Sequence, residues 1–298
     1  MRGALFLFPL ILVPVALAGA KPPSLALPYG LLVDGNGRVF IADAGRHRVL
    51  RYDAQRQRLV RVAGNGKAGI GGDGGPALRA QLGEITSLAE DSTGQLYISD
   101  VHNGVVRRFV PGGRIATVAR VPGVVGIDID PGGKYLAIAS IARGVMRLNL
   151  STGGLETLVP VGQGVEGPHG LRYDASGDLW VADPGSRVIR IDHLSGELHE
   201  VARIDTATVL PTARGVYVTV GDPGGGQVLL IRPDGSRRRV VGTGRISRQR
   251  NNVRATRVGI RPTAVALAPN GSLLVAQDRP VPALRRVSRR GIITTVTR

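Results

Sequence analysis

Short apolar segments with alternating hydrophobic and polar positions recur from Pro28 to the end of the chain. Each recurrence has the same order: an apolar strand, a Gly-centred turn, a more strongly apolar strand that often ends in Asp, and a basic third strand. Period-two alternation with Gly, Asp and Pro at the breaks is typical of antiparallel strands. We therefore predict an all-β protein built from a repeated sheet.

Six turn glycines mark six copies of this pattern, namely Gly37, Gly94, Gly133, Gly177, Gly215 and Gly271. A single sheet cannot bury both of its faces, so the copies are expected to pack around an axis as a closed ring. We predict a six-bladed β-propeller of four-stranded antiparallel blades, with approximate boundaries 28–82, 83–122, 123–167, 168–206, 207–260 and 261–298. The last copy reads as complete, so closure is expected to need no strand from the N-terminus.

The first 20 residues have the order of a secretory signal peptide. Arg2 precedes an apolar run over 4–18, and Ala18-Gly19-Ala20 precedes Lys21. We predict cleavage after Ala20, a linker over 21–27, and a secreted or periplasmic protein with no transmembrane span after cleavage. An uncleaved N-terminal anchor is the less favoured alternative, because Pro9 and Pro14 interrupt a run that is already short for a span.

The absence of cysteine excludes several kinds of site, and the excess of arginine indicates the kind of partner. The chain has no cysteine, which excludes disulfides, thiolate zinc sites and thiol catalysis. The net charge is +17, and residues 232–298 hold 16 arginines against only two carboxylates, Asp234 and Asp278. The candidate ligand-binding residues form three clusters, which are Arg237, Arg238 and Arg239; Arg245, Arg248, Arg250, Arg254 and Arg257; and Arg285, Arg286, Arg289 and Arg290.

These clusters fall in two neighbouring blades and are expected to merge into one basic sector. Such a field attracts a protein or an anionic partner: an acidic polysaccharide, a phospholipid head group or a cell-wall polymer. Arginine at solvated strand edges, where it discourages edge pairing, is the alternative. Nucleic acid is disfavoured as a partner because of the export signal. Oligomeric state is not predicted.

The segment between the first two copies carries a family motif. Ala63-Gly64-Asn65-Gly66, Gly71-Gly72-Asp73-Gly74-Gly75-Pro76-Ala77 and Ala80-Gln81-Leu82 resemble the long-repeat form of the NHL family, as does Ile41-Ala42-Asp43 with Arg46-His47-Arg48-Val49. The segment 242–260 resembles a decayed copy of the same insertion, with Arg and Asn in place of GDGG. The resemblance implies a propeller, in a family that includes scaffolds, receptor ectodomains and enzymes.

The start of each innermost strand is where chemistry is expected, since the axial channel of a propeller opens there. The equivalent residues are Tyr29, Thr86, Val125, His169, Ala207 and Thr263. Peptidyl-hydroxyglycine lyases, which the chain resembles in fold, place zinc-binding His at this position, and the regucalcin and gluconolactonase group places Glu, Asn and Asp around calcium. With one His and no carboxylate, these positions do not support a zinc or calcium cofactor, and we predict no metal site.

Three further patterns receive structural interpretations. Asp43, Asp100 and Asp183 are expected to accept backbone N–H bonds and to pair with Arg48, Arg107 and Arg187 respectively. The aromatic positions Phe40, Tyr97 and Trp180 are expected to pack between blades. The glycines of 64–75 are expected to carry the chain between blades at positive φ, because the segment lacks the Gly-Lys-Ser/Thr and the helix of a phosphate-binding loop.

We predict that the protein is a non-catalytic binding module for a protein or an anionic ligand. The two insertions and the basic sector are expected to contact this partner. The alternative is a propeller enzyme, a lyase or lactonase-type hydrolase. Its site would lie at the channel mouth around His169, with Glu166 as an acid–base partner, as in a streptogramin-lyase-like propeller, and with Tyr29.

Overall fold

The computed structural model describes residues 24–183 and 187–297 and confirms the six-bladed propeller. Each blade is an antiparallel meander of four strands in sequence order from the axis outward. The first three blades are β1 (Pro28–Val33), β2 (Val39–Asp43), β3 (Arg48–Asp53) and β4 (Arg58–Ala63); β5 (Ile85–Glu90), β6 (Leu96–Asp100), β7 (Val105–Phe109) and β8 (Ile115–Arg120); and β9 (Val124–Ile129), β10 (Tyr135–Ser140), β11 (Gly144–Asn149) and β12 (Leu155–Pro160).

The last three blades repeat this order, and blade 6 gains a fifth, outer strand from the preceding insertion. They are β13 (Leu171–Tyr173), β14 (Leu179–Asp183), β15 (Arg187–Ile191) and β16 (Leu198–Arg203); β17 (Val209–Thr212), β18 (Gly215–Asp222), β19 (Gly225–Ile231) and β20 (Arg237–Val241); and β21 (Val253–Arg254), β22 (Arg261–Leu267), β23 (Leu273–Arg279), β24 (Ala283–Val287) and β25 (Ile292–Thr297). Three single-turn 3₁₀ helices lie at Ala44–Arg46, Ala77–Arg79 and Ala255–Arg257.

The meander gives the propeller two different ends. Because successive strands are antiparallel, the turns from first to second strand and from third to fourth strand lie at one end, here named the turn end. The turns from second to third strand and the connections between blades lie at the other, here named the crossover end. Both long insertions leave the fourth strand of their blade at the crossover end.

The core consists of apolar layers between adjacent blades. Phe40 packs with residues of blade 2, and Tyr97 packs with residues of blade 3. Trp180 is half-buried against the first two strands of blade 5. The predicted packing of these aromatic positions between blades is confirmed.

The inner strands approach so closely that side chains do not fit between some of them. A Cβ at Gly126 would overlap the carbonyl oxygen of His169, and one at Gly170 would overlap the carbonyl oxygen of Ala207. These glycines let three consecutive inner strands pack tightly around the axis.

The two insertions, 64–82 and 242–260, are similar in sequence and are held onto the next blade by equivalent contacts. In the first, Ala77 N–H donates to the Gly113 carbonyl, and in the second, Ala255 N–H donates to the Gly291 carbonyl. Five glycines of the first insertion have positive φ, including Gly64 at +81°. The chain thus crosses between blades through these glycines, as predicted.

The ring closes between blades 6 and 1. Blade 6 takes its strands from residues 253–297, so closure needs no N-terminal strand among the described residues. Thr263 Oγ1 donates to the carbonyl of Pro28 across the joint, and an apolar cluster that includes Leu31 and Ala264 fills it.

The predicted signal peptide and most of the predicted linker lie outside the described residues. In 24–183 and 187–297, no helix is long and apolar enough to cross a bilayer.

Candidate functional site

The six predicted mouth positions converge on the propeller axis. They line a cavity of about 260 Å³ together with neighbouring inner-strand residues. The lining includes Tyr29, Thr86, Val125, His169, Ala207 and Thr263. A second cavity of about 400 Å³ shares four of these residues and extends toward the crossover end.

The arrangement around His169 differs from the proposed acid–base dyad. His169 is half-buried, and its Nδ1 lies 3.1 Å from the carbonyl oxygen of Gly167. Glu166 is exposed, and its backbone N–H, not its carboxylate, makes the local contact, donating to Asp183. No ion pair joins Glu166 to His169. The two side chains are not brought together in this structure, and their role as an acid–base pair stays a prediction of the enzyme alternative.

The phenol of Tyr29 is affected by burial and by three charged residues that are not mouth positions. Burial raises the pKa of its phenol, the nearby charges of Glu84 and Asp278 raise it further, and Arg261 opposes them. The phenol therefore stays protonated near neutral pH and can act as a hydrogen-bond donor to a bound molecule.

Three charged residues near the mouth positions were missed from the sequence. Glu84, Asp205 and Arg261 each come two residues before a mouth position in the sequence. Asp205 and Arg261 line the outer cavity. Arg261 binds the buried carboxylate of Asp278, with Nε 2.8 Å from Oδ1. In the described parts of the chain, no group of three or more His, Asp or Glu side chains is arranged to hold a metal ion.

The aspartates at the ends of the second strands are structural, as predicted. Asp43 accepts the backbone N–H groups of Ala26 and Leu27 and binds Arg48. Asp183 is likewise bound by Arg187 at 2.8 Å.

The expected partner of Asp100 is wrong. Asp100 binds the backbone N–H of Gly83 and the Asn103 amide. Arg107 instead binds Asp73 of the first insertion, with Nε 3.0 Å from Oδ1. Its side chain points toward the neighbouring insertion, where it is completely buried.

The arginine-rich part of the chain forms a cleft between blades 5 and 6. The cleft has a volume of about 660 Å³ and involves turn-end residues of both blades, together with part of the second insertion. Seven arginines line it, and no carboxylate does. They are Arg214, Arg232, Arg238, Arg239, Arg254, Arg289 and Arg290.

Only some of the predicted ligand-binding arginines line the cleft. Arg238, Arg239, Arg254, Arg289 and Arg290 come together there, whereas Arg237, Arg245, Arg248, Arg250, Arg257 and Arg286 do not line it. Arg285 is a correction, because its side chain is completely buried and binds Gln277, the carbonyl of Arg250 and Asn251. It occupies in blade 6 the place of Arg107 in blade 2 and holds the second insertion.

Two arginines of the cleft were missed from the sequence. Arg214 lies in the turn before β18 and Arg232 follows β19, so each stands alone in the chain and outside the three clusters. The signal that could have found them is topological, since the first and third turns of a meander lie at the same end.

The arginines of the cleft form no ion pairs with carboxylates of the described residues. None of its seven arginines has a carboxylate within 4 Å among residues 24–183 and 187–297. Two are fixed by neutral partners: Arg254 Nη1 donates to the carbonyl of Arg290 at 3.1 Å, and Arg232 Nη1 donates to Ser236 Oγ at 3.0 Å.

Comparison with known proteins supports the fold and leaves the family open. No family model matches the chain. The chain is 34% identical over 80 residues to Protein SUPPRESSOR OF QUENCHING 1, chloroplastic, from Arabidopsis thaliana; the match covers 27% of this chain and only 7% of that protein.

Solved structures share the architecture at low identity. An auxiliary nutrient binding protein from Bacteroides thetaiotaomicron is 12% identical, with a TM-score of 0.66 over 86% of this chain and 67% of that one. Virginiamycin B lyase from Staphylococcus aureus is 15% identical, with a TM-score of 0.58 over 90% of this chain and 83% of that one. Enzymes and binding proteins thus share this fold, and the likeness defines a class of propeller rather than an activity.

Proposed function

We propose that the protein is an exported NHL-type propeller that acts as a non-catalytic binding module for an anionic ligand. The observation that carries the proposal is the cleft between blades 5 and 6, with seven arginines and no lining carboxylate. The GDGGPA-type insertion motif supports the NHL part of the proposal, and the apolar run ahead of Ala20 supports export.

Arginine is suited to this role because its guanidinium is always charged and offers several donors in a fixed plane. That plane matches the oxygens of carboxylate, phosphate and sulfate groups. Like charges gathered around one concave surface repel one another until an anion enters, so the cleft favours a negatively charged occupant.

A propeller enzyme with its site at the channel mouth is the second candidate. The observation that favours it is the convergence of Tyr29, His169, Asp205 and Arg261 on the two axial cavities. The separation of His169 from Glu166 weighs against the acid–base pair that this candidate would use.

The test is binding of the full chain to dextran sulfate, measured by calorimetry at low and moderate salt. The variant R238A/R289A/R290A removes three exposed cleft arginines. Hydrogen bonds to charged groups are worth about 1.5–3 kcal/mol each, which exposure reduces to roughly 1, so we expect affinity to fall by about 100-fold at low salt.

The matched control is R58A/R61A/R120A, which removes the same charge from exposed outer strands of blades 1 and 2. It should lose only a few-fold in affinity. Equal losses in the two variants would remove the cleft from the account, and no binding by the wild type would remove the proposed function.

A further inference from the structure

The cleft between blades 5 and 6 is amphipathic. Beneath its arginines lie apolar side chains from both blades: Tyr217, Leu230 and Val240 from blade 5, and Leu273 and Val287 from blade 6. Leu267 stands at the cleft with 41% of its surface exposed. A surface made only to attract a fully hydrated polyanion would gain nothing from this floor.

We infer that the ligand of this cleft is an anionic amphiphile, a single molecule with a phosphate, sulfate or carboxylate head group joined to an apolar chain or ring. The inference rests on the proposed function and adds the ligand class to it. The head group would meet the arginines while the apolar part covers the floor and Leu267.

The volume and shape of the cleft fit one molecule rather than a flat surface. Its volume of about 660 Å³ lies in the range of sites that enclose small ligands, which is about 300–1,000 Å³. The lining combines seven arginines with six apolar or aromatic side chains, so one molecule that enters it meets both kinds of surface. A bilayer surface would instead meet the arginines without reaching the floor between the blades.

Local contacts affect two of the cleft arginines, Arg289 and Arg254. A Cβ at position 271 would lie 2.6 Å from Nε and 2.8 Å from Nη2 of Arg289, so Gly271 leaves the space that this guanidinium occupies. Arg254 is tied to the carbonyl of Arg290. The Arg254 side chain, held by this bond, loses less conformational freedom when a ligand binds.

The experiment is calorimetric titration of the full chain with a series of single-chain phosphates below their micelle concentrations: inorganic phosphate, then butyl, hexyl and octyl phosphate. Each buried methylene should strengthen binding by about fourfold until the floor is covered. Octanol and vesicles of phosphatidylglycerol serve as the neutral and the bilayer arm, and both should bind more weakly than octyl phosphate.

Two variants separate the floor from the arginines. L267S should weaken octyl phosphate about threefold and leave inorganic phosphate unchanged, whereas R238A/R289A/R290A should weaken both. The control is I141S, because Ile141 is 46% exposed in blade 3, across the ring from the cleft.

The outcomes distinguish this inference from the proposed function. If the phosphates bind through the arginines but affinity does not rise with chain length, the amphiphile is wrong and an anion-binding module stands. Tighter binding to vesicles than to octyl phosphate would also overturn it, in favour of a membrane surface. If no phosphate and no sulfated polymer binds, both proposals fail together.

Discussion

Replacing Asp73 with Asn tests whether a buried ion pair holds the first insertion onto blade 2. The Arg107 side chain is completely buried and donates to Asp73 Oδ1, while Asp73 Oδ2 accepts the backbone N–H of Thr117 at 2.9 Å. Breaking a buried pair costs about 3–5 kcal/mol when one partner is removed. The Asp73 side chain is 43% exposed, so water replaces part of the interaction, and we expect about 1–2 kcal/mol.

The assay is thermal unfolding of the full chain at pH 7. For a chain of this length, the expected loss lowers the Tm of D73N by about 2–6 °C. The control is D53N, because Asp53 bonds Gln55 and Arg56 of its own turn, where the Arg56 side chain is 65% exposed and that of Asp53 13%. That variant should unfold close to the wild-type temperature.

The pH dependence gives a second, independent readout. Burial by itself raises the pKa of Asp73, but hydrogen bonds from Thr117 and Arg107 outweigh it and lower the pKa overall. A carboxylate with a lowered folded pKa stabilises the fold above its unfolded pKa of about 3.9, and that stability is lost as pH falls through the folded value. The gap between wild type and D73N should be full at pH 6 and shrink below about pH 4. An undiminished gap at pH 3, or a loss no larger than that of D53N, would refute the reasoning.

Three further substitutions test the fold and the channel. G64A should destabilise the protein more than G74A does, as measured by urea unfolding of the two variants. Both glycines have a left-handed φ, which costs about 1–2 kcal/mol for a residue with a side chain, but only a Cβ at Gly64 would overlap a backbone carbonyl. H169A should leave the Tm nearly unchanged, since the ring is half-buried and makes one contact; under the enzyme alternative it abolishes turnover of lactone or lyase substrates that the wild type converts. D278N should cost about 2–4 kcal/mol in urea unfolding, because it leaves Arg261 without its buried partner, and a loss no larger than that of D53N would mean that water already satisfies Arg261.

Sequence periodicity was sufficient for the fold because the same pattern recurs six times and every copy points to the same sheet. It also placed the mouth residues, since position within a repeat fixes position around the axis. Side-chain partners were less predictable. Arg107 lies seven residues after Asp100 but binds Asp73, which precedes Arg107 by 34 residues. The reason is the register of β6 and β7, in which Val105 stands opposite Asp100, whereas Arg48 and Arg187 stand opposite Asp43 and Asp183.

The arginines of the basic cleft were also predicted only in part. Charge counting along the chain found the right pair of blades, but it treated Arg285 like its neighbours. Only the register of β24 shows that Arg285 faces inward while the adjacent Arg286 is exposed. Counting also passed over Arg214 and Arg232, which are isolated in sequence and reach the cleft through the turns of blade 5.

Neither of the two carboxylates of residues 232–298 lines the cleft. Asp278 binds Arg261 near the channel, and Asp234 accepts the backbone N–H of Ser236 within its own turn. The second insertion also lacks the acidic residue of the first. Asn251 takes the place of Asp73, and its side-chain oxygen accepts hydrogen bonds from Arg285 and from the backbone N–H of Thr295. The positive field over the cleft is therefore left largely uncompensated by this part of the chain, apart from the attraction between Asp234 and Arg232.

This lack of compensation predicts that the cleft arginines work against folding when no ligand is bound. Neighbouring like charges repel, so R238A/R289A/R290A should unfold at the same temperature as the wild type or higher in low salt, and the difference should vanish in about 0.5 M NaCl, where screening is strong. Sulfate that occupies the cleft should raise the Tm of the wild type more than that of the variant, since a ligand stabilises the state that binds it. R58A/R61A/R120A, which loses the same charge elsewhere, should respond to sulfate like the wild type. A lower Tm for the cleft variant at low salt would mean that these arginines serve the fold rather than a ligand.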